Sequence, residues 1–144
     1  MSSDNKSLRQ QLLNIIDTRM SRAHPSRVEA CHNLLMRIID NILREPTEEK
    51  FQKIKMRGKT FSTTVEGVDG VVDYLRLCGF VVRVIDFEEH LVLNTSDETV
   101  LEKLQTGKDV LEERTNKIKE RRARQEYLEQ KEKEADKHYL ESVR

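Results

Sequence analysis

Five bases stand between Lys50 and Lys59 with no acid among them: Lys50, Lys53, Lys55, Arg57 and Lys59. Phe51 and Ile54 lie inside the same run. The chemistry open to such a segment is recognition: the cations attract carboxylates, and an aromatic ring at the surface accepts apolar side chains. In an extended strand alternate residues project to one side, so Lys53, Lys55 and Arg57 line one face. The pattern suits an acidic, apolar-tipped peptide. Composition alone supports equally well a solvated strand face with Phe51 turned into the core. Single-stranded nucleic acid is not expected, because its readers interleave several stacking aromatics with their bases and only one ring is available here. The first 111 residues also hold 16 Lys or Arg against 17 Asp or Glu, which is no basic footprint.

Groups that could carry covalent or metal chemistry are scattered. His24, His32, His90 and His138 fall on different elements, no pair has ligand spacing with a cysteine, and neither Cys31 nor Cys78 has an activating base nearby in sequence. Gly67, Val68, Asp69 and Gly70 lack the Lys-Ser/Thr that completes a phosphate-binding loop, so turn and packing roles are expected for these glycines and for Gly79. Glu88 and Glu89 read as a solvated hairpin tip. The reading is a protein that is not an enzyme and needs no metal or cofactor.

Elements must position the basic run, and the composition says which kind. The chain has 144 residues with 36% hydrophobic and 36% charged content, and its 26 bases balance 26 acids. One modest core is expected, and balance excludes a generic polyanion or membrane-surface binder. No apolar run approaches 18 residues, and Met1 to Asp17 lacks the basic start and apolar centre of a signal peptide, so a cytoplasmic or nuclear protein is expected. Two cysteines inside apolar helical patterns read as reduced and buried.

Leu8, Leu12, Ile15, Ile16 and Met20 recur at helical spacing until His24 and Pro25 interrupt them. Pro25 or Ser26 starts a second helix carrying the wide stripe Val28, Cys31, Leu34, Leu35, Ile38, Ile39, Ile42 and Leu43, the expected main core helix. Thr47 is expected to cap a short third helix with Glu48 and Glu49 in its first turn. Ile54 and Met56 alternate with bases as a strand ending at Gly58. Val68, Val71, Val72, Leu75 and Leu77 predict another helix, closed by Gly79 in a left-handed conformation. Phe80 to Asp86 and His90 to Leu93 predict a hairpin turning at Phe87 to Glu89, and Thr95 or Ser96 is expected to cap a last helix with Val100, Leu101 and Leu104 facing inward. Helices followed by a strand, a helix, a hairpin and a helix make an α+β domain with a small, mostly antiparallel sheet.

Residues 112–144 differ in kind, with ten Lys or Arg, nine Asp or Glu, and no Gly or Pro. Glu113 and Lys117, Glu120 and Arg124, and Glu129 and Lys133 place acid four residues before base and support a solvated helix. Leu104, Leu111 and Ile118 begin a heptad that Gln125 and Glu132 break, so coiled-coil pairing is the weaker reading and a monomer the expectation. The expected organisation is an N-terminal helix over 1–24, a domain over 25–111 and a charged helical extension over 112–144.

The stretch from Asn41 to Phe51, with Lys53 to Met56, Thr60 to Thr63, Gly70 and Cys78-Gly79-Phe80, resembles the PUB (or PUG) domain of peptide N-glycanase and of UBX and other ubiquitin-pathway adaptor proteins. The resemblance runs from about Arg27 to Leu111. It implies a helix-rich PUB-like α+β domain with a three-stranded sheet, followed here by the long charged C-terminal helix. It further implies a binding module that docks the acidic C-terminal tail of the valosin-containing AAA ATPase, ending near a Leu-Tyr pair, in a groove between the second helix, the short third helix and the first strand. The family's groove positions fall on Asn41, Pro46, Lys50, Phe51, Ile54, Lys55, Gly79 and Phe80. By that resemblance Asn41 bonds the peptide backbone, Lys50 and Lys55 face carboxylates, and Phe51 and Phe80 offer aromatic surface. The family often has Tyr at Phe51, Arg at Lys55 and Asn at Thr47. Loss of a hydroxyl and of a bidentate fork implies retained but weaker binding, near micromolar, or about −8 kcal/mol. A different short peptide in the same groove, or a scaffold oligomerising through its charged helix, are the alternative readings.

Overall fold

The computed structural model describes residues 2–143, with side chains from Ser7 onward. It divides into two compact units, residues 1–112 and residues 113–144. In the first, α1 (Ser2–Thr18) runs into a 3-10 turn at Met20–Arg22, and α2 (Pro25–Arg44) follows at once. His24 caps α2 by accepting from the Ser26 N–H at 3.2 Å, and Pro25 occupies the first turn, where its missing N–H costs nothing. Next come a 3-10 turn at Glu49–Phe51, β1 (Lys53–Lys55), α3 (Lys59–Val65), α4 (Val71–Leu77), β2 (Val81–Ile85), β3 (Glu88–Val92) and α5 (Glu98–Ser142). The sheet is antiparallel in the order β1-β3-β2, with Ile54 opposite Leu91 and Leu91 opposite Val82.

The α2 stripe is the centre of the core: Cys31, Leu35, Ile39 and Ile42 are fully buried at steps of four and three residues. Around it pack Leu12, Ile16 and Met20 from the first segment, Tyr74 and Leu75 of α4, Leu91 of β3, and Val100, Leu104, Val110 and Leu111 of α5. Leu104 and Leu111 are therefore committed to this core, and the heptad that they open has no free seam. Arg19 fastens α1 to the α4 region, with Nε 3.0 Å from Asp69 Oδ2 and Nη1 2.6 Å from Asp73 Oδ2. Lys108 Nζ, 3.0 Å from Asp40 Oδ1, ties α5 to α2.

Several local expectations change. The third helix is a single 3-10 turn, and Thr47 does not cap it; Glu48 precedes the turn without a side-chain cap bond. The chain enters β1 directly after Gln52, which leaves no room for an α-helical turn. Lys59–Val65 is helical although its Thr- and Ser-rich sequence favours helix weakly. Burial of Phe61 on α2 overrides that preference. The predicted helix beginning at Val68 starts instead at Val71, because Gly70 holds φ +92° and a Cβ there would come within 2.9 Å of Ile15 Cγ2. Gly79 takes the expected positive φ, at +114°. The hairpin turns on two residues, Asp86 and Phe87, both at positive φ, so Glu88 and Glu89 lie in β3 rather than at the tip. Asp97, not Thr95 or Ser96, receives the Thr99 N–H at the start of α5, at 3.0 Å.

In the second unit, residues 113–144, the helix exposes Tyr127, Leu128, Tyr139, Leu140 and Val143 among its charges. Lys131 Nζ lies 5.6 Å from the centre of the Tyr127 ring. Among the described residues no helix is long and apolar enough to cross a membrane.

Candidate peptide-binding site

The basic run lies where α2, the 3-10 turn and β1 meet. At the C-terminal turn of α2, the Asn41 carbonyl accepts the Glu45 N–H at 3.0 Å and Asn41 Oδ1 accepts from Arg44 Nη2 at 3.1 Å. The Pro46 carbonyl then accepts two bonds, from Thr95 Oγ1 at 2.6 Å and from Gln52 Nε2 at 2.8 Å. Gln52 Nε2 also reaches Thr95 Oγ1 at 3.0 Å. This knot holds the loop after α2 against the residues that follow β3. Gln52 and Thr95 therefore position the site, a role legible in sequence only as two unremarkable polar residues.

Lys50 and Phe51 sit on the 3-10 turn so fixed. Lys50 is exposed, with Nζ 5.2 Å from the centre of the Phe51 ring, and Phe51 is half-buried, its inner edge packed on the core. A cation over a ring that still has an open edge can hold a carboxylate beside an apolar side chain. Ile54, half-buried, faces the core side of the sheet with Leu91.

Strand alternation divides the remaining candidates. Lys53 and Lys55 project from the face opposite Ile54, as the exposed, half-buried, exposed pattern of β1 requires. Lys55 is already engaged, its Nζ 3.0 Å from Glu88 Oε2, and this contact holds the Glu88 carboxyl below the usual carboxylate range. Glu88, expected at a solvated hairpin tip, is thus paired with a base of the run. Phe80 is 1% exposed and offers no aromatic surface to a ligand. Gly79 serves packing: a Cβ there would press on Leu93 and Val100 at 3.3 Å. Lys50 and Phe51 are paired on the 3-10 turn, Pro46 is held beside that turn through Gln52, Asn41 lies in the last turn of α2, Lys55 projects from the strand face opposite Ile54, and Gly79 and Phe80 belong to the scaffold.

Burial pushes the Cys31 and Cys78 thiols up to about 12, far from thiolate chemistry. Burial also lowers His32 to about 4. Among the described residues no group of three or more His, Cys, Asp or Glu is placed to hold a metal ion.

The family model described as PUB domain matches residues 25–106, more than half of the chain. The chain is 33% identical over 101 residues to the peptide-N(4)-(N-acetyl-beta-glucosaminyl)asparagine amidase of Rattus norvegicus, across 63% of this chain and 15% of the relative. It is 32% identical over 99 residues to the Homo sapiens protein of that name, across 62% of this chain and 14% of the relative. The chain thus spans about one seventh of the length of the curated relatives it matches.

Proposed function

Since the chain belongs to the PUB domain family, a family of non-catalytic interaction modules, we propose that it is an adaptor that binds the acidic C-terminal tail of the valosin-containing AAA ATPase. The reading places it in ubiquitin-linked protein quality control, in the cytoplasm or nucleus. The observation that carries it is the pairing of Lys50 with a half-exposed Phe51 on a turn held between α2 and β1. In this reading Lys50 meets a tail carboxylate, Phe51 takes an apolar side chain near the tail's end, and the Asn41 side chain bonds the peptide backbone. Pro46 and Ile54 shape the wall and floor. Lys55 joins by releasing Glu88, while Gly79 and Phe80 act by holding β2 and α5 in place. The hydrolytic activity named in the amidase relatives is not proposed for this segment.

Calorimetry with a synthetic tail peptide tests the proposal. Saturable binding near micromolar, lost in Phe51→Ala, supports it. No heat at about 300 µM peptide with folded protein overturns it, since such a site would be far from saturation only above millimolar Kd.

A further inference from the structure

The opposite edge of the sheet is unusual for its chemistry. β2 is an edge strand, and four of its five residues are exposed: Val81, Val82, Arg83 and Val84. Val82 is 43% and Val84 70% exposed, and Phe87, just beyond, is wholly exposed. Phe87 also holds φ +66° in a turn where glycine or asparagine is the usual occupant, so a bulky ring is kept there at a conformational cost.

The ladder shows which backbone groups this edge presents. Glu89 O accepts from the Met56 N–H at 3.1 Å and the Leu93 N–H donates to Gln52 O at 2.9 Å, so odd-numbered β3 residues bond toward β1. Even-numbered ones, Glu88, His90 and Val92, therefore bond toward β2, opposite Ile85, Arg83 and Val81. By the same alternation Val82 and Val84 direct their N–H and C=O groups off the sheet. Among the described residues no backbone hydrogen bond outside the ladder engages them.

Charge identifies the occupant. Lys55, His90 and Arg83 stand opposite one another across the three strands, so Arg83 is the cation that this row places at the free edge. Glu88 pairs with Lys55 at the far end of the row. A second copy fits poorly. The antiparallel register that uses both outward-facing valines sets Val82 against Val84 of the copy and Arg83 against Arg83, and like charges directly opposite repel.

We propose that the β2 edge receives an extended, acidic segment of a partner protein as a fourth strand. An acid on that segment lies opposite Arg83, apolar residues lie opposite Val82 and Val84 on the other face, and Phe87 gives a further apolar contact past the turn. This surface is separate from the turn that carries Lys50 and Phe51, and the proposal does not depend on the tail-binding reading.

The test titrates the full chain with a short peptide that alternates valine and glutamate, and follows amide hydrogen exchange. Exchange at the Val82 and Val84 amides is expected to slow about ten-fold or more at saturation. Arg83→Glu, an exposed change, is expected to abolish that slowing with the glutamate peptide and restore it with a valine-lysine peptide. Unchanged exchange at both valines overturns the proposal. So does slowing that appears without peptide and grows with protein concentration, which assigns the edge to a second copy. Slowing confined to residues 50–54 also overturns it, since the peptide then uses the other site.

Discussion

Lys55 on β1 and Glu88 on β3 form an ion pair at 3.0 Å, so one base of the candidate groove is neutralised within the domain before any ligand arrives. An acidic peptide must compete with Glu88 for that ammonium. Glu88→Gln is expected to tighten binding of the tail peptide two- to five-fold at low salt, and the gain should disappear near 1 M salt, where exposed pairs are screened. Calorimetry at the two ionic strengths checks this. Equal affinities for both proteins at low salt would place Lys55 outside the binding surface.

Phe51→Ala and Asn41→Ala are expected to remove tail binding and leave the domain folded. Phe51 is only half-buried, so its truncation is expected to cost about 1–2 kcal/mol of stability rather than the larger cost of a core aromatic. The Asn41 side chain accepts a bond from exposed Arg44, and its loss should cost less still. Chemical denaturation beside calorimetry separates the two effects; wild-type affinity in both variants would move the groove elsewhere.

Gly107 sits in α5 where a Cβ would come 2.5 Å from Cys78 Sγ. Gly107→Ala is expected to destabilise by about 1–3 kcal/mol despite the better helix propensity of alanine, because the contact is in a packed core. Removing the sulfur reverses the sign: in a Cys78→Ala background the same change should stabilise by up to about 1 kcal/mol. Urea denaturation of the four proteins gives the coupling directly, and additive effects would mean that the clash is relieved some other way.

His32, fully buried on α2, is lowered by burial from 6.5 to about 4, with nearby Glu29 opposing the shift. A base whose folded pKa is depressed is neutral in both states above pH 6.5. Below it the unfolded chain takes up the proton first, so stability falls between pH 6.5 and about 4. The slope approaches about 1.4 kcal/mol per pH unit, or roughly 2 kcal/mol between pH 6.5 and 5. Asp40, Asp69, Glu88 and Asp97 are all held below their usual values, so their contributions are lost only as pH falls further. Urea midpoints at pH 7 and pH 5 should therefore converge in His32→Gln and diverge in the wild type.

The amino-acid sequence by itself determined the helical stripes of α1, α2 and α5, the two buried thiols, the left-handed glycine at Gly79 and the basic run with its aromatic, because each rests on periodicity or local backbone chemistry within a few residues. Tertiary structure alone decided the rest. A 3-10 turn replaced the helix capped at Thr47, since Pro46 is bound by Gln52 and Thr95, the latter 49 positions away. Phe61 made a helix of a Thr-rich segment by burial, which propensity does not contain. Strand alternation sent Ile54 and Lys55 to opposite faces, Glu88 claimed Lys55, and the core took Phe80. Which charges and rings remain free for a partner depends on pairings between segments distant in sequence, and no local pattern encodes those.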